Sequence, residues 1–468
     1  MQITDILARK RDGHPLSDGE ISHFVQAYAR GELPDYQAAA FLMAVFLRGM
    51  SSAETTALTL AMAASGAQLD WSDLLPYAVD KHSSGGLGDT TTLVVLPLVA
   101  ACGVPVVKMS GRGLGHSGGT LDKIEAISGF RHQLSEAEMR AQVEDIGLAL
   151  AGQSAALAPA DGKFYALRDV TATVNSIPLI AASIMSKKLA GGAQGVVLDV
   201  KVGSGAFTAE LPEARQLARE MVAVGRAAGR DMVALIADMN QPLGRAVGNA
   251  LEVAEACRTL CHNPPTRLRE HCLIVASAML QLARAADPQI GTSRPQEARR
   301  ELEARLADGS AFAKFQQLVA AQGGDPRQLE DMHRLPQPRL QEVIPAHRSG
   351  YLNAIDATAL GRACTALGAG RLRKEDEIDP AVGLVMRAEL GDALERGAPL
   401  LTIYANDEGR LAAARHLLAG GEGSASRQGD ARRLSPFRID EERREPPPLI
   451  HETIAGEAGN SATGNATQ

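Results

Sequence analysis

Apolar residues recur at helical spacing through the first 66 positions of the chain, and then the rhythm changes. Ile21, Phe24, Val25 and Tyr28 lie three and four apart behind Ser17 and Glu20, a pair with capping-box spacing. Gly31 ends that run. Asp35 is placed to cap the next helix, which carries Phe41, Leu42, Val45 and Phe46 and stops at Gly49. Ser51 with Glu54 repeats the box and opens a third helix that runs to about Gly66. The pattern predicts a small helical unit. From about Asp80, short valine-rich runs alternate with helical stretches: a helix over 93–102, then strands over 104–109 and 195–202. A helix over 212–229 has Leu217, Met221 and Val224 on one face, and a strand follows over 231–238. Strand, helix, strand at this spacing predicts βαβ units and a largely parallel sheet. Residues 165–191, in between, read as helical. Past about Leu335 the runs GYLNAID, AVGLVM and PLLTIY are punctuated by glycine and predict a small mixed α/β domain with antiparallel strands. From about Ser424 no apolar periodicity remains, so at least the last twenty or so residues are expected to be disordered.

Composition narrows the class. A chain of 468 residues is too long for one ordinary core and predicts two or three domains. A net charge of -7 gives no basic footprint for nucleic acid. Cys102, Cys257, Cys261, Cys272 and Cys364 are odd in number and form no CxxC pair, as expected of free thiols in a reducing compartment. Cys257 and Cys261 sit one helical turn apart without a matching His or Cys pair, so zinc is weakly supported. The first residues are too charged for a signal peptide, and no run of about 18 apolar residues could span a membrane. A cytoplasmic location is expected.

Glycine is in excess, with 46 residues, and many cluster between Gly85 and Gly119. One segment there reads KHSSGGLGDTTT from Lys81 to Thr92. Glycines let the backbone turn tightly and aim several N–H groups at one spot, hydroxyls and a lysine surround it, and a helix follows whose N-terminus favours an anion. It matches neither GxGxxG nor the GxxxxGK pattern of a Walker loop. By itself it also reads as a plain Gly-rich turn before a helix cap. A second segment, KMSGRGLGHSGGTLDK from Lys108 to Lys123, follows a strand and repeats the recipe. Two such loops could grip one anion from two sides. A third stretch holds Arg168, Ser183 and Lys187. Ser183 and Lys187, four apart, share a helix face; Arg and Lys aimed at one pocket would suit a ligand whose carbonyl oxygens gain negative charge, but alone the Ser-Lys pair reads better as a solvated face.

Together these segments resemble the thymidine phosphorylase and pyrimidine-nucleoside phosphorylase family. SGRGLGHSGGTLDK is close to its signature, KHSSGGLGD and YALRDVTATVNSIPLIAASIMSKKLA match it, and VLDVKVGSGAF, MNQPLGRAVGNALEV and RKEDEID (373–379) extend the likeness over roughly residues 1–410. The resemblance implies an α/β fold with a small all-helical domain (1–66 with 163–193) and a larger α/β domain with a mixed central sheet (80–154 with 195–334). A small C-terminal mixed α/β domain (335–435) and a disordered tail (436–468) complete it. It implies a homodimer joined through the helical domains. It also implies phosphate contacts from Lys81, Ser83, Thr92, Ser110 and Thr120, with Lys108 bordering that site, and pyrimidine contacts from Arg168, Ser183 and Lys187. His82 falls near the base as a proton donor. Some members bind potassium through the backbone at Gly88, Leu243 and Ala246, with Thr90 and Glu255, an oxygen-only set suited to a weakly charged cation. No organic cofactor is implied. Ser84 and Ser117 stand where the family usually has Thr, and Asn175 where an acidic residue is usual; the tail past about Ser435 has no counterpart.

The implied reaction is phosphorolysis of a pyrimidine nucleoside to free base and α-pentose 1-phosphate. Lysine at position 108, where deoxynucleoside-restricted enzymes often have Met, favours a broad enzyme accepting uridine, thymidine and deoxyuridine. A thymidine phosphorylase restricted to 2′-deoxynucleosides is the alternative. An anthranilate phosphoribosyltransferase is a distant one: its loop usually reads GTGGD, and the second Gly-rich segment has no good match there.

Overall fold

The computed structural model describes residues 2–113, 118–152, 156–286, 294–371, 376–419 and 435–455. Four helices open the chain: α1 (Ile3–Arg11), α2 (Asp18–Ala29), α3 (Asp35–Arg48) and α4 (Ser52–Ala63). Both expected capping boxes form. Ser17 and Ser51 accept from the backbone N–H of Glu20 and Glu54, whose carboxylates accept in return from the two serine N–H groups. Asp35 is not a cap. Pro34 takes that position, and the Asp35 carboxylate instead accepts from the Tyr28 hydroxyl at 3.0 Å.

The α/β region follows with β1 (Val79–Ser83), α5 (Thr91–Ala101), β2 (Val106–Ser110), α6 (Thr120–Ile124), α7 (Glu136–Ile146) and β3 (Leu148–Gly152). Two helices, α8 (Pro159–Val170) and α9 (Ile177–Ala190), then return to the N-terminal unit. Phe164, Leu179 and Ala182 pack into the same core as Phe24, Phe41 and Leu58. The α/β region resumes with β4 (Gly195–Val202), α10 (Leu211–Ala227), β5 (Asp231–Asp238), β6 (Ala246–Val247), α11 (Asn249–His262) and α12 (Arg267–Ala285). Helices α13 (Pro295–Ala307), α14 (Ser310–Ala321) and α15 (Arg327–Glu330) complete its helical cover. The C-terminal part holds β7 (Leu340–Pro345), β8 (Gly350–Ile355), α16 (Ala357–Leu367), β9 (Gly383–Met386), β10 (Ala393–Leu394), β11 (Pro399–Ala405), α17 (Glu408–Leu418), β12 (Phe437–Asp440) and β13 (Ile450–Ala455).

The main sheet has the order β13-β5-β4-β1-β2-β3. Its first five strands in chain order run parallel, and β13 is antiparallel, so the sheet is mixed. Strand order reverses between β1 and β4, and open α/β sheets bind ligands beyond the carboxyl ends of their strands at such a point. α5 is apolar nearly all round and buried, as a helix sunk in a large core must be. It fixes the turn that precedes it.

The expectation of a disordered tail over 436–468 is overturned for the residues that form strands. β12 pairs with β8 and turns Phe437 and Ile439 into the C-terminal core. β13 then crosses to the main sheet and caps its β5 edge, with Glu452 in an ion pair to Arg215. An edge strand is recruited by backbone hydrogen bonds, which leave little trace in side-chain periodicity. Residues 456–468 lie outside the described residues.

Candidate active site

β1 divides the site. Its register sets Lys81 beside Val197 and Ser83 beside Asp199. Successive strand side chains alternate faces, so Lys81 and Ser83 share one face with Asp199 and Lys201, while Asp80 and His82 take the other. Sequence spacing places Lys81 in a loop; the structure places it, with His82 and Ser83, in this strand.

The first Gly-rich turn runs from Ser84 to Asp89. Gly85 and Gly88 adopt positive φ, 96° and 64°, which a side chain would strain. Asp89 organises the turn, accepting from the hydroxyls of Ser83 and Thr91. Burial would raise the Asp89 carboxyl, yet Lys201, Lys81 and Lys123 outweigh it and hold the group well below the usual carboxylate range. Thr92 is buried in the first turn of α5. Lys81 is 1% exposed, and its ammonium has no hydrogen-bond partner among the described residues.

The second turn faces the first. Ser110 ends β2 and Thr120 opens α6. Leu114 to Ser117 lie outside the described residues. A Cβ on Gly119 would sit 2.0 Å from the Gly113 nitrogen, so the two limbs of the turn touch. Lys123 joins the turns, donating to the Asp89 carbonyl at 2.8 Å and pairing with Glu252 at 2.7 Å. Asp122 accepts from the Gly113 N–H, Arg112 and Arg371, which fastens this turn to the C-terminal part. Lys108 is buried, donates to the Lys81 carbonyl at 2.6 Å and lies 3.6 Å from Asp80. Burial pushes its ammonium well below the ordinary lysine range.

Across His82 stands the second cluster. Arg168 of α8 is buried and donates to the carbonyls of Thr173, Val174 and Leu179, which leaves part of its five-donor fork uncommitted. Lys187 of α9 donates to Ser183 Oγ at 3.0 Å and pairs with Asp161. Its neighbour Lys188 spans to the sheet, 2.7 Å from Asp80 and 3.2 Å from the Met109 carbonyl. Burial and then Lys188, Lys108, Lys187 and Lys81 push the His82 imidazole well below its ordinary pKa. The ring lies within electrostatic reach of lysines from both clusters.

Gly88, Thr90, Leu243, Ala246 and Glu255 also meet. A Cβ on Gly88 would lie 2.9 Å from the Ala246 carbonyl oxygen, and the Leu243 N–H donates to Leu87 at 3.1 Å. Glu255 accepts from the N–H groups of Arg245 and Ala246. Thr90 does not reach Glu255 by hydrogen bond; its hydroxyl donates to Glu252 at 2.8 Å.

Three family models match this chain: a glycosyl transferase family helical bundle domain over 4–66, the α/β domain of the same family over 75–312, and a pyrimidine nucleoside phosphorylase C-terminal domain over 351–421. A pyrimidine-nucleoside phosphorylase of Geobacillus stearothermophilus is 51% identical over 408 residues, 87% of this chain and 93% of that protein. The chain belongs to the pyrimidine-nucleoside phosphorylase family. A Staphylococcus aureus member is likewise 51% identical over 406 residues, 87% of this chain and 92% of its own length. Membership makes this chain a pentosyl-transferring glycosyltransferase. The anthranilate phosphoribosyltransferase of Thermus thermophilus superposes with a TM-score of 0.56 at 20% identity, covering 68% of this chain and 99% of its own, a likeness of fold.

Reading the family motifs along the sequence brings together the residues expected at the site but misses their partners. Asp161 is one: it precedes Arg168 by two helical turns on α8, a spacing that could have exposed it. Asp80 and Lys188 are another pair, and Asp89 a fourth case, visible only as the last letter of a Gly-rich motif. Asp199, Lys201 and His271 carry no sequence signal beyond charge inside an apolar strand or helix.

Proposed function

We propose that the enzyme uses inorganic phosphate to cleave pyrimidine nucleosides, releasing free base and α-pentose 1-phosphate with inversion at C1′. One observation carries the reading: Lys188, next to Lys187 on α9, bonds Asp80 of β1 and the Met109 carbonyl of β2, which sets the Arg168–Lys187 cluster against the strands that lead into both Gly-rich turns. Lys81, Ser83, Thr92, Ser110 and Thr120 hold phosphate, with Lys108 at the border; a buried ammonium without a partner calls for an anion. Arg168, Ser183 and Lys187 hold the pyrimidine. A phosphate oxygen attacks C1′ from the face opposite the base, and the C1′–N1 electron pair leaves with the base. The proton lost by hydrogen phosphate balances the one the base gains. Arg168 and Lys187 stabilise negative charge that grows on the departing ring, an interaction stronger in the transition state than in the substrate. His82 meets a base oxygen as a hydrogen-bond or proton donor. The ligands come from the helical and α/β regions, so closure of one upon the other brings the reactants together.

Lys108 favours acceptance of uridine as well as thymidine and deoxyuridine, because a cation beside the sugar can meet a 2′-hydroxyl. The test is purified enzyme with phosphate and, in turn, thymidine, deoxyuridine, uridine and cytidine, following base release. No release that depends on phosphate would end the reading.

A potassium ion fits the oxygen set at Gly88, Thr90, Leu243, Ala246 and Glu255. Burial pushes the Glu255 carboxyl up to about 7 against the pull of two backbone N–H groups and Arg258. A bound monovalent cation would neutralise that carboxylate and pin the first turn to the segment before α11. Among the described residues no group of three or more His, Cys, Asp and Glu could hold a metal ion. α3 leaves Tyr36 74% and Leu47 70% exposed, with Met43 between them on the same face. This apolar stripe supports a homodimer through the helical domains; Leu47→Asp should then yield a monomer in sedimentation. Among the described residues no helix is long and apolar enough to cross a membrane.

A further inference from the structure

Behind the first turn lies a charge cluster with no contact assigned to substrate. Asp199 and Lys201 of β4 share the face of Lys81 and Ser83, and α12 brings His271 against them. All three side chains are 0% exposed. Lys201 Nζ lies 2.7 Å from Asp199 Oδ2 and 2.8 Å from His271 Nε2, and that ring nitrogen is itself 2.8 Å from the same carboxylate oxygen. The cluster is wired to the turn through the backbone: the Lys201 N–H donates to Ser84 Oγ at 2.8 Å, and the Ser84 N–H donates to the Asp199 carbonyl at 3.0 Å. Lys81 feels the charges of Asp89, then of Asp199 and Lys201, yet pairs with none of them, and its Nζ, Asp199 Oδ1 and His271 Nδ1 are buried without partners among the described residues.

A buried carboxylate that loses its counter-ion captures another nearby cation, since an uncompensated charge in a low dielectric is costly. Beside His271, the cation that shares the face of Asp199 and feels its charge is Lys81. We propose that Lys201 is a positioning residue for the phosphate half of the site: by holding Asp199 it keeps the Lys81 ammonium out of an internal ion pair and free for phosphate. The proposal rests on the phosphorolytic reading. It explains why a fully buried lysine behind the first turn has its own carboxylate.

The test is steady-state kinetics of the full-length enzyme, varying phosphate and thymidine separately. Lys201→Met should raise the phosphate KM roughly 10–100-fold, the scale of one lost charge-assisted hydrogen bond, while the thymidine KM moves far less. Adding Asp199→Asn removes the capturing carboxylate, and the double variant should recover most of that loss. A purely structural role would make the double variant no better than the single one, and that outcome overturns the proposal, as does an unchanged phosphate KM in Lys201→Met. Should Lys201→Met fail to fold, the charge-free Asp199→Asn/Lys201→Met enzyme decides: a phosphate KM near wild type supports the proposal, and a rise of about tenfold or more refutes it. Wild-type enzyme that releases no base with phosphate would instead refute the phosphorolytic reading itself.

Discussion

Replacing Lys187 with alanine removes two things at once, and the structure allows them to be separated. Lys187 is 18% and Asp161 6% exposed at the side chain, so their ion pair is largely shielded from water. Among the described residues Asp161 Oδ1 already lacks a partner. Lys187→Ala leaves the whole carboxylate uncompensated, which costs about 3–5 kcal/mol for a buried pair; the residual exposure of Lys187 sets the expectation at the lower end, about 3 kcal/mol. Catalysis loses a donor aimed at the departing base, about 3–4 kcal/mol, or roughly 10²–10³ in kcat. A Lys187→Met/Asp161→Asn enzyme keeps shape but carries no buried charge, so its stability should return to within about 1 kcal/mol of wild type while its activity stays low. Urea denaturation reads the first quantity, and kcat/KM for thymidine at saturating phosphate reads the second. Near-normal kcat/KM in Lys187→Ala would remove the lysine from the mechanism. Recovery of activity in the double variant would show that the lysine acts only by neutralising Asp161.

Exchanging potassium for choline should lower the melting temperature of the wild-type enzyme and leave that of Glu255→Gln unmoved; equal shifts in both, measured by calorimetry, would place the ion elsewhere. Lys108→Met should lower the ratio of uridine to thymidine turnover, and an unchanged ratio would dissociate this lysine from the 2′-hydroxyl. His82 gives a pH dependence whose sign follows from its depressed pKa. The unfolded chain takes up a proton below about 6.5 where the folded ring does not, so acid shifts the balance toward unfolding and this contribution to stability is lost as pH falls through that value. NMR titration of the His82 ring from pH 8 to 6 should show no protonation, and a midpoint near 6.5 would mean that the surrounding lysines do not act on it.

Much of the fold is legible because its signals are local. Ser17 with Glu20, and Ser51 with Glu54, read as helix starts from spacing alone. The β4 and β5 strands read as continuous apolar runs, as strands buried on both faces do. β1 escapes such reading. Its sequence is VDKHS, four polar residues in five, and it is a strand only because Lys188 meets Asp80, Asp89 and Asp199 lie near Lys81, and the neighbouring strands supply its ladder. Those partners sit up to more than a hundred residues away, and no window along the chain contains them. β12 and β13 escape for the opposite reason: their pairing is carried by backbone groups. The family motifs name the residues expected to touch substrate, yet the carboxylates that tune those residues lie outside every motif or unremarked within one.

The partners explain how a chain with a net charge of -7 can build an anion site at all. Six buried or half-buried lysines surround the reversal in strand order: Lys81, Lys108, Lys123, Lys187, Lys188 and Lys201. Five have a carboxylate within ion-pair distance, namely Asp80 for Lys108 and Lys188, Glu252 for Lys123, Asp161 for Lys187 and Asp199 for Lys201. Lys81 alone among the six makes no such pair in the described residues. Unpaired, six ammonium groups in a low dielectric would repel one another and lose their protons. Four carboxylates offset most of that charge, Asp80 serving two lysines, and Lys81, at the end of β1 where the first turn begins, is the one left without an ion pair among the described residues. Anion affinity in this arrangement belongs to one lysine and the backbone around it, and it is the carboxylates, not the lysines, that decide which one.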